Sequence, residues 1–84
     1  MTYQVALSSS AKKDLSSLDA TTQRRILQKL VDLAITPRST DTLKLRNDNR
    51  YRARVGDYRV LYTIDDAAKI VTVSSIRHRR EVYR

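Results

Sequence analysis

The chain has no cysteine, tryptophan or phenylalanine, and only one glycine, one proline, one methionine and one histidine. Without cysteine there is no disulfide framework and no thiol nucleophile, and a single histidine also rules out the usual zinc-ligand sets. One glycine leaves nothing for a glycine-rich phosphate loop. Carboxylates are scarce too, with 9 Asp and Glu against 17 Lys and Arg, and the adjacent Asp65 and Asp66 read as turn formers rather than as part of a cation site. Any chemistry is therefore expected to need no metal and no cofactor. No apolar run approaches a membrane span. The opening residues, MTYQVALSSS, have neither the cationic leader nor the apolar core of a signal peptide. The expected location is the cytoplasm, with no membrane partner.

What the chain does have is positive charge, unevenly placed. The formal net charge is +8, made of +2 over residues 1–43 and +6 over residues 44–84. A basic surface concentrated in one half of a small protein points to a polyanionic partner, either a nucleic acid or an acidic protein. At 84 residues, one domain spanning 1–84 is expected, with a hydrophobic core of marginal size.

Thr2 to Leu7 alternates as a short strand, and Ser8, Ser9 and Ser10 offer caps for a helix from about Ser9 to Ser17. Asp19 is the expected N-cap of a longer helix ending near Thr36, with Ile26, Leu27, Leu30, Val31, Leu33 and Ala34 as its apolar set and Pro37 as its stop. The short link at Leu18 and Asp19 predicts a helical hairpin. A polar connection from Arg38 to Asn49 follows, with room for a little strand at its end. Strands are then expected at Tyr51–Val55, Tyr58–Asp65 and Lys69 to about Arg77. The order is β-α-α-β-β-β, an α+β fold in which an antiparallel sheet carries the helix pair on one face.

The densest signal is RYRARVGDYRVLY, residues 50–62, where arginine alternates with apolar and aromatic residues on both sides of the single glycine. A two-residue turn at Gly56 and Asp57 sets Arg54 directly across from Arg59. Like charges in that position destabilise a ladder. Pairing Ile64 with Ile70 places Arg59 against Ser75 and brings Arg77 onto the same face just beyond it. Arg52, Arg54, Arg59 and Arg77 are thus expected on one open surface, with the tyrosine face under the helices. A solvated face in a basic protein would show the same alternation. The repulsive pair, and the use of arginine throughout, favour a phosphate-binding surface, since each guanidinium offers a planar fork of donors that stays charged. Tyr83, among Arg79, Arg80 and Arg84, has the surroundings of a base-stacking residue, or of an aromatic folded onto the core. Histidine is the one residue type here whose unperturbed pKa lies near neutrality, but by alternation His78 faces away from the arginines, which suits a packing or hydrogen-bonded role at the strand end.

The run KLRNDNRYRARVGDYRVLYTIDD followed by VTVSSIRHRREVYR resembles the C-terminal half of the RelE/ParE toxin superfamily, and its RelE branch in particular. The preceding strand and helices fit the same order of elements. This resemblance implies a RelE-like fold and a type II toxin that cuts mRNA in the ribosomal A site as a metal-independent endoribonuclease. It implies a RelB-like antitoxin whose acidic segment wraps the toxin, with operator DNA bound only through that antitoxin. By position, Arg52, Arg54, Arg59, Arg77 and Tyr83 correspond to the catalytic set. Lys44, Arg46, Arg50, Arg79 and Arg80 are expected to supply RNA contacts, and His78 is a candidate acid–base group. The best-known member has lysines where this chain has Arg52 and Arg54, and arginine cannot serve as a proton acceptor. Two other functions share this fold: gyrase inhibition of the ParE kind, and an inactive protein that only binds RNA or antitoxin.

Overall fold

A computed structural model describes residues 2–40, 42–46 and 48–79 of the chain. Strand β1 (Gln4–Leu7) leads into helix α1 (Ser9–Ser16), and α2 (Ala20–Ile35) follows after three residues. Both helices begin as the sequence dictates. Ser8 Oγ accepts the Ala11 N–H at 3.1 Å. Asp19 accepts the Thr22 N–H at 3.3 Å and its hydroxyl at 2.5 Å. Those bonds, the hydroxyl's foremost, hold the Asp19 carboxyl below the ordinary range. Gln23 Nε2 reaches back to the Leu15 carbonyl at 2.9 Å, clasping the end of α1 to the first turn of α2. Beyond α2 come β2 (Thr42–Lys44), β3 (Tyr51–Val55), β4 (Tyr58–Asp65) and β5 (Ile70–His78). Among the described residues no helix is long and apolar enough to cross a membrane.

The five strands form one sheet in the order β1-β5-β4-β3-β2. The pairs β2–β3, β3–β4 and β4–β5 are antiparallel. The N-terminal strand, whose place the sequence left open, lies parallel to β5 at the far edge. The α+β class and the helix pair are as expected, and β2 is the little strand of the polar connection.

The core lies between the helices and one sheet face. Ala11, Ile26, Leu30 and Leu33 come from the helices, and Ala53, Val60, Tyr62, Val71, Val73 and Ile76 from the sheet. Leu27 and Val31, expected in the core, are instead 47% and 55% exposed. The apolar arc of α2 is wider than the surface it covers, so its flank spills out beside β1. Tyr62 is fully buried, stacks on Tyr51 with centroids 5.7 Å apart, and donates its hydroxyl to the Pro37 carbonyl at 2.6 Å. The residue that stops α2 is thereby pinned to the middle of the sheet.

The pairing of β4 with β5 differs from the expected register in two places. Asp65 pairs with Ile70 and Ile64 with Val71, so the connecting loop is one residue shorter than expected, with Lys69 at a left-handed φ of 59°. Nothing in a loop of aspartate, alanine and lysine signals that conformation, which glycine or asparagine would ordinarily fill. A β-bulge at Leu61/Tyr62 then shifts the register once more, with Ser74 as the extra residue. The first error would have put Val71 and Val73 on the arginine face, whereas both are fully buried. Past the bulge the two errors sum to an even number, so face assignments there are unchanged. Arg59 lies opposite Arg77, however, and not opposite Ser75.

A surface clasp joins distant parts of the chain. Arg38 donates to both oxygens of Asp66, at 3.1 and 2.8 Å, and its Nε donates to the Tyr51 hydroxyl at 3.1 Å. The Tyr3 hydroxyl donates to Asp66 Oδ1 at 2.6 Å. Arg38 first, and Tyr3 second, hold the Asp66 carboxyl down at about 2. A carboxyl depressed by folding contributes stability above its unfolded value of about 3.9, and that contribution fades as the pH falls through the folded value. Wild-type and Asp66→Asn proteins should therefore differ in thermal midpoint by a constant amount above about pH 5, with the gap narrowing below that and closed only below about pH 2. Tyr62→Phe leaves a buried carbonyl without its donor. It should lower the urea midpoint at unchanged m-value, a loss of about 1–3 kcal/mol of stability.

Candidate active site

The β3–β4 hairpin turns at Gly56 and Asp57, with Gly56 at φ 58°. The chain's only glycine occupies a left-handed position that other residues adopt at a cost. The turn fixes Val55 opposite Tyr58, and hence Arg54 opposite Arg59. On the other side of β4, Arg59 faces Arg77. Directly opposed residues share a face, so three arginines lie in one row across three strands. The next row along that face is Arg52, Leu61 and Ser75. The four arginines singled out by alternation are thus brought to one surface.

That surface is less open than the alternation suggests. Arg59 is only 6% exposed, Leu61 9% and Ser75 8%. Strand β4 is the middle of the sheet, so Arg59 has an arginine beside it on either hand. Arg52 is half-buried, while Arg54 and Arg77 are exposed. Arg54 Nε donates to the Gly56 carbonyl at 3.3 Å, and Arg59 Nη1 to the Tyr58 carbonyl at 3.4 Å. Both bonds tie guanidiniums to their own hairpin. A row of fixed, closely spaced cations with a buried member binds anions well, because little reorganisation is needed when charge arrives.

One participant escaped the sequence reading. Strand β1 ends opposite Val73, leaving the outer edge of β5 without a partner strand beyond that point. The start of α1 takes over. The Ser8 N–H donates to the Val73 carbonyl at 2.9 Å, and Ser8 Oγ to the Ser74 carbonyl at 2.9 Å. Asp14 Oδ2 then accepts the Ile76 N–H at 2.9 Å and lies 3.9 Å from Arg77 Nε. The carboxylate finishes the strand edge and sets the base of the Arg77 side chain. Its only sequence signal was being the sole acid of α1.

The remaining candidates scatter. His78 pairs with Tyr58 on the opposite face, its ring edge-on to the tyrosine at 5.3 Å. That geometry removes it from the arginine row as an acid–base group. Lys44 pairs with Tyr51 and so shares the tyrosine face, not the arginine one. Arg50 is held by Asp48 through Nη2 at 2.8 Å and Nε at 3.0 Å. That contact moves the Asp48 carboxyl down and the Arg50 guanidinium up. Arg46 is exposed in the loop before β3. The Arg79 N–H donates to the Asp57 carbonyl at 2.7 Å, which brings Arg79 to the hairpin turn. Arg80 and Tyr83 lie outside the described residues. Among the described residues no group of three His, Cys, Asp or Glu could hold a metal ion.

Comparison with known proteins follows the same lines. The family described as ParE toxin of type II toxin-antitoxin system, parDE, matches residues 5–83. Toxin RelG of Mycobacterium tuberculosis is 33% identical over 90 aligned positions, covering 100% of this chain and 99% of the relative. The crystal structure of the toxin-antitoxin complex RelBE2 from the same organism contains a chain that superposes with a TM-score of 0.85 at 29% identity, covering 94% of this chain and 100% of that one. The archaeal RelE-RelB complex from Pyrococcus horikoshii gives 0.81 at 33% identity, over 94% and 97% of the two chains.

Asp14 provides a direct check on how the row is built. Asp14→Ala should cost about 1–3 kcal/mol in urea unfolding, because it strips a strand-edge N–H of its acceptor. Asp14→Asn keeps an acceptor there and should retain most of that stability.

Proposed function

The chain belongs to the RelE/ParE superfamily of type II toxin-antitoxin toxins, and from that premise we propose that it is a ribosome-dependent endoribonuclease acting on mRNA in the A site. The observation that carries this reading is the Arg54, Arg59 and Arg77 row with Arg52 beside it. Four cations on a rigid sheet are opposite in sign to the charge that builds up on a phosphodiester in the act of cleavage. The ribose 2′-oxygen bonds to the adjacent phosphorus while the bond from phosphorus to the 5′-oxygen breaks. The products are a 2′,3′-cyclic phosphate and a 5′-hydroxyl. The proton leaving the 2′-hydroxyl and the one reaching the 5′-oxygen pass through groups other than these arginines, which stay protonated.

Arg52, Arg54 and Arg59 bind and polarise the phosphate, Arg77 stabilises the charge of the transition state, and Tyr83 stacks on a base. Arg46, Arg79 and Arg80 extend the RNA contacts. No metal is required, since the cations supply the electrostatic stabilisation. The partner is a RelB-like antitoxin, as in the RelBE2 and archaeal RelE-RelB complexes. Its acidic segment covers the arginine row and relieves the mutual repulsion there. Operator DNA is reached through the antitoxin alone. The cytoplasm, where ribosomes and message are found, is the site of action.

In a reconstituted translation system the protein should cut message at codons in the A site, and Arg77→Ala should lower the cleavage rate about 10²- to 10³-fold. Intact message together with loss of DNA gyrase supercoiling would transfer the protein to the gyrase-inhibiting branch, and intact message with supercoiling unaffected would leave the inactive binder. Co-purification with an acidic partner encoded beside it checks the antitoxin.

A further inference from the structure

The arginine row does not end at the hairpin. Strand β2 pairs with β3 only as far as Ala53, so the tip of the hairpin stands clear of it and turns towards α2. A groove of about 480 Å³ lies there, lined by Arg24, Arg25, Lys29 and Asp32 of α2 and by Arg54 and Gly56 of the hairpin. Four cations face one carboxylate, and Asp32 already accepts a bond from Gln28 Nε2 at 3.2 Å. The Arg25 guanidinium rests on Gly56, with both terminal nitrogens 3.2 Å from where a Cβ would stand. Arg54 bonds the Gly56 carbonyl at 3.3 Å. Two guanidiniums therefore converge on the same glycine, one from the helix and one from the strand. Arg54 belongs both to this groove and to the row with Arg59 and Arg77.

A row of arginines that continues over a turn into a cation-lined groove suits a chain of regularly spaced anions. We infer that the groove between α2 and the Gly56 turn is a second phosphate subsite, which takes the RNA backbone continuing from the scissile phosphate, with Arg54 bridging the two. This rests on the ribonuclease reading and extends it, because it makes RNA length matter beyond the cleaved step. Arg24 and Arg25 are exposed helix residues, so their replacement spares the core.

The test measures the salt dependence of binding by the intact protein to two fluorescent probes, a long oligouridylate and a diuridylate too short to reach the groove. Each phosphate neutralised on single-stranded RNA contributes about 0.7 to the slope of log affinity against log salt. Arg24→Gln/Arg25→Gln should flatten the slope for the long probe by roughly 1.4 and leave the short probe unchanged. Circular dichroism of the double variant should match wild type. A double variant with the wild-type slope overturns the subsite alone, as does a wild type that holds both probes with equal affinity. So does a double variant that loses only polyglutamate binding, which would assign the groove to an acidic protein segment. A wild type that holds neither probe also overturns the subsite, whereas the ribonuclease reading stands or falls separately on message cleavage in the reconstituted translation system.

Discussion

One extra residue in β5 keeps the two faces of this sheet in step. Val71, Val73 and Ile76 all face the helices, a spacing that strict alternation cannot provide. The bulge at Ser74 inserts the missing position. Before it β5 serves the core through Val71 and Val73, and after it through Ile76, so Arg77 emerges on the other side opposite Arg59. The bulge also coincides with the end of β1. There Ser8 takes up the Val73 and Ser74 carbonyls and delivers α1 to the strand edge. Removing that residue would reverse every side chain on one half of β5, sending core valines or the site arginine to the wrong face.

The arginine row depends on this framework because it opposes its own assembly. Two pairs of like charges lie directly across the ladders, and the central member is buried. The backbone can hold them there because the other face is firmly fixed. Tyr62 is sealed under Pro37, Tyr51 stacks on it, and Arg38 and Asp66 clasp the far ends together. Local electrostatic cost carried by a rigid scaffold is a common property of sites made to receive an opposite charge. Asp14 fits the same logic. A carboxylate at the strand edge steadies the base of Arg77 at 3.9 Å, while much of the Arg77 side chain remains exposed.

Membership in a toxin superfamily gives this arrangement a biological setting, and the arginines refine it. On the proposed ribonuclease reading, arginine at both 52 and 54 would separate phosphate binding and charge stabilisation from proton transfer, because arginine keeps its proton. The His78 ring packs on Tyr58, on the face of the sheet away from the arginine row. The cationic surface is also broader than one row. It rounds the Gly56 turn and meets α2, while the apolar flank of the same helix, Leu27, Val31 and Ile35, stays exposed.

By itself the sequence determined the elements, the cap of α2, the run of serines that caps α1, and the facing of the hairpin. Ser8 and Asp19, the helix-stopping Pro37 and the lone glycine are each read by local chemistry that acts within a few residues. The Arg54 and Arg59 pairing followed because a two-residue turn leaves a single register. Only the tertiary structure decided what depends on contacts distant in sequence. It placed β1 alongside β5, and it showed the left-handed Lys69 that shortens the last loop and the bulge that moves Arg77 opposite Arg59. It also revealed Asp14 beneath Arg77 and the exposure of Leu27 and Val31. These depend on how far one element extends over another, and no residue states that for itself. Lys44 and Arg50 looked like extensions of the cationic face because their charge is legible in the sequence. The pleat that turns Lys44 away and the carboxylate that holds Arg50 became visible only in the folded chain.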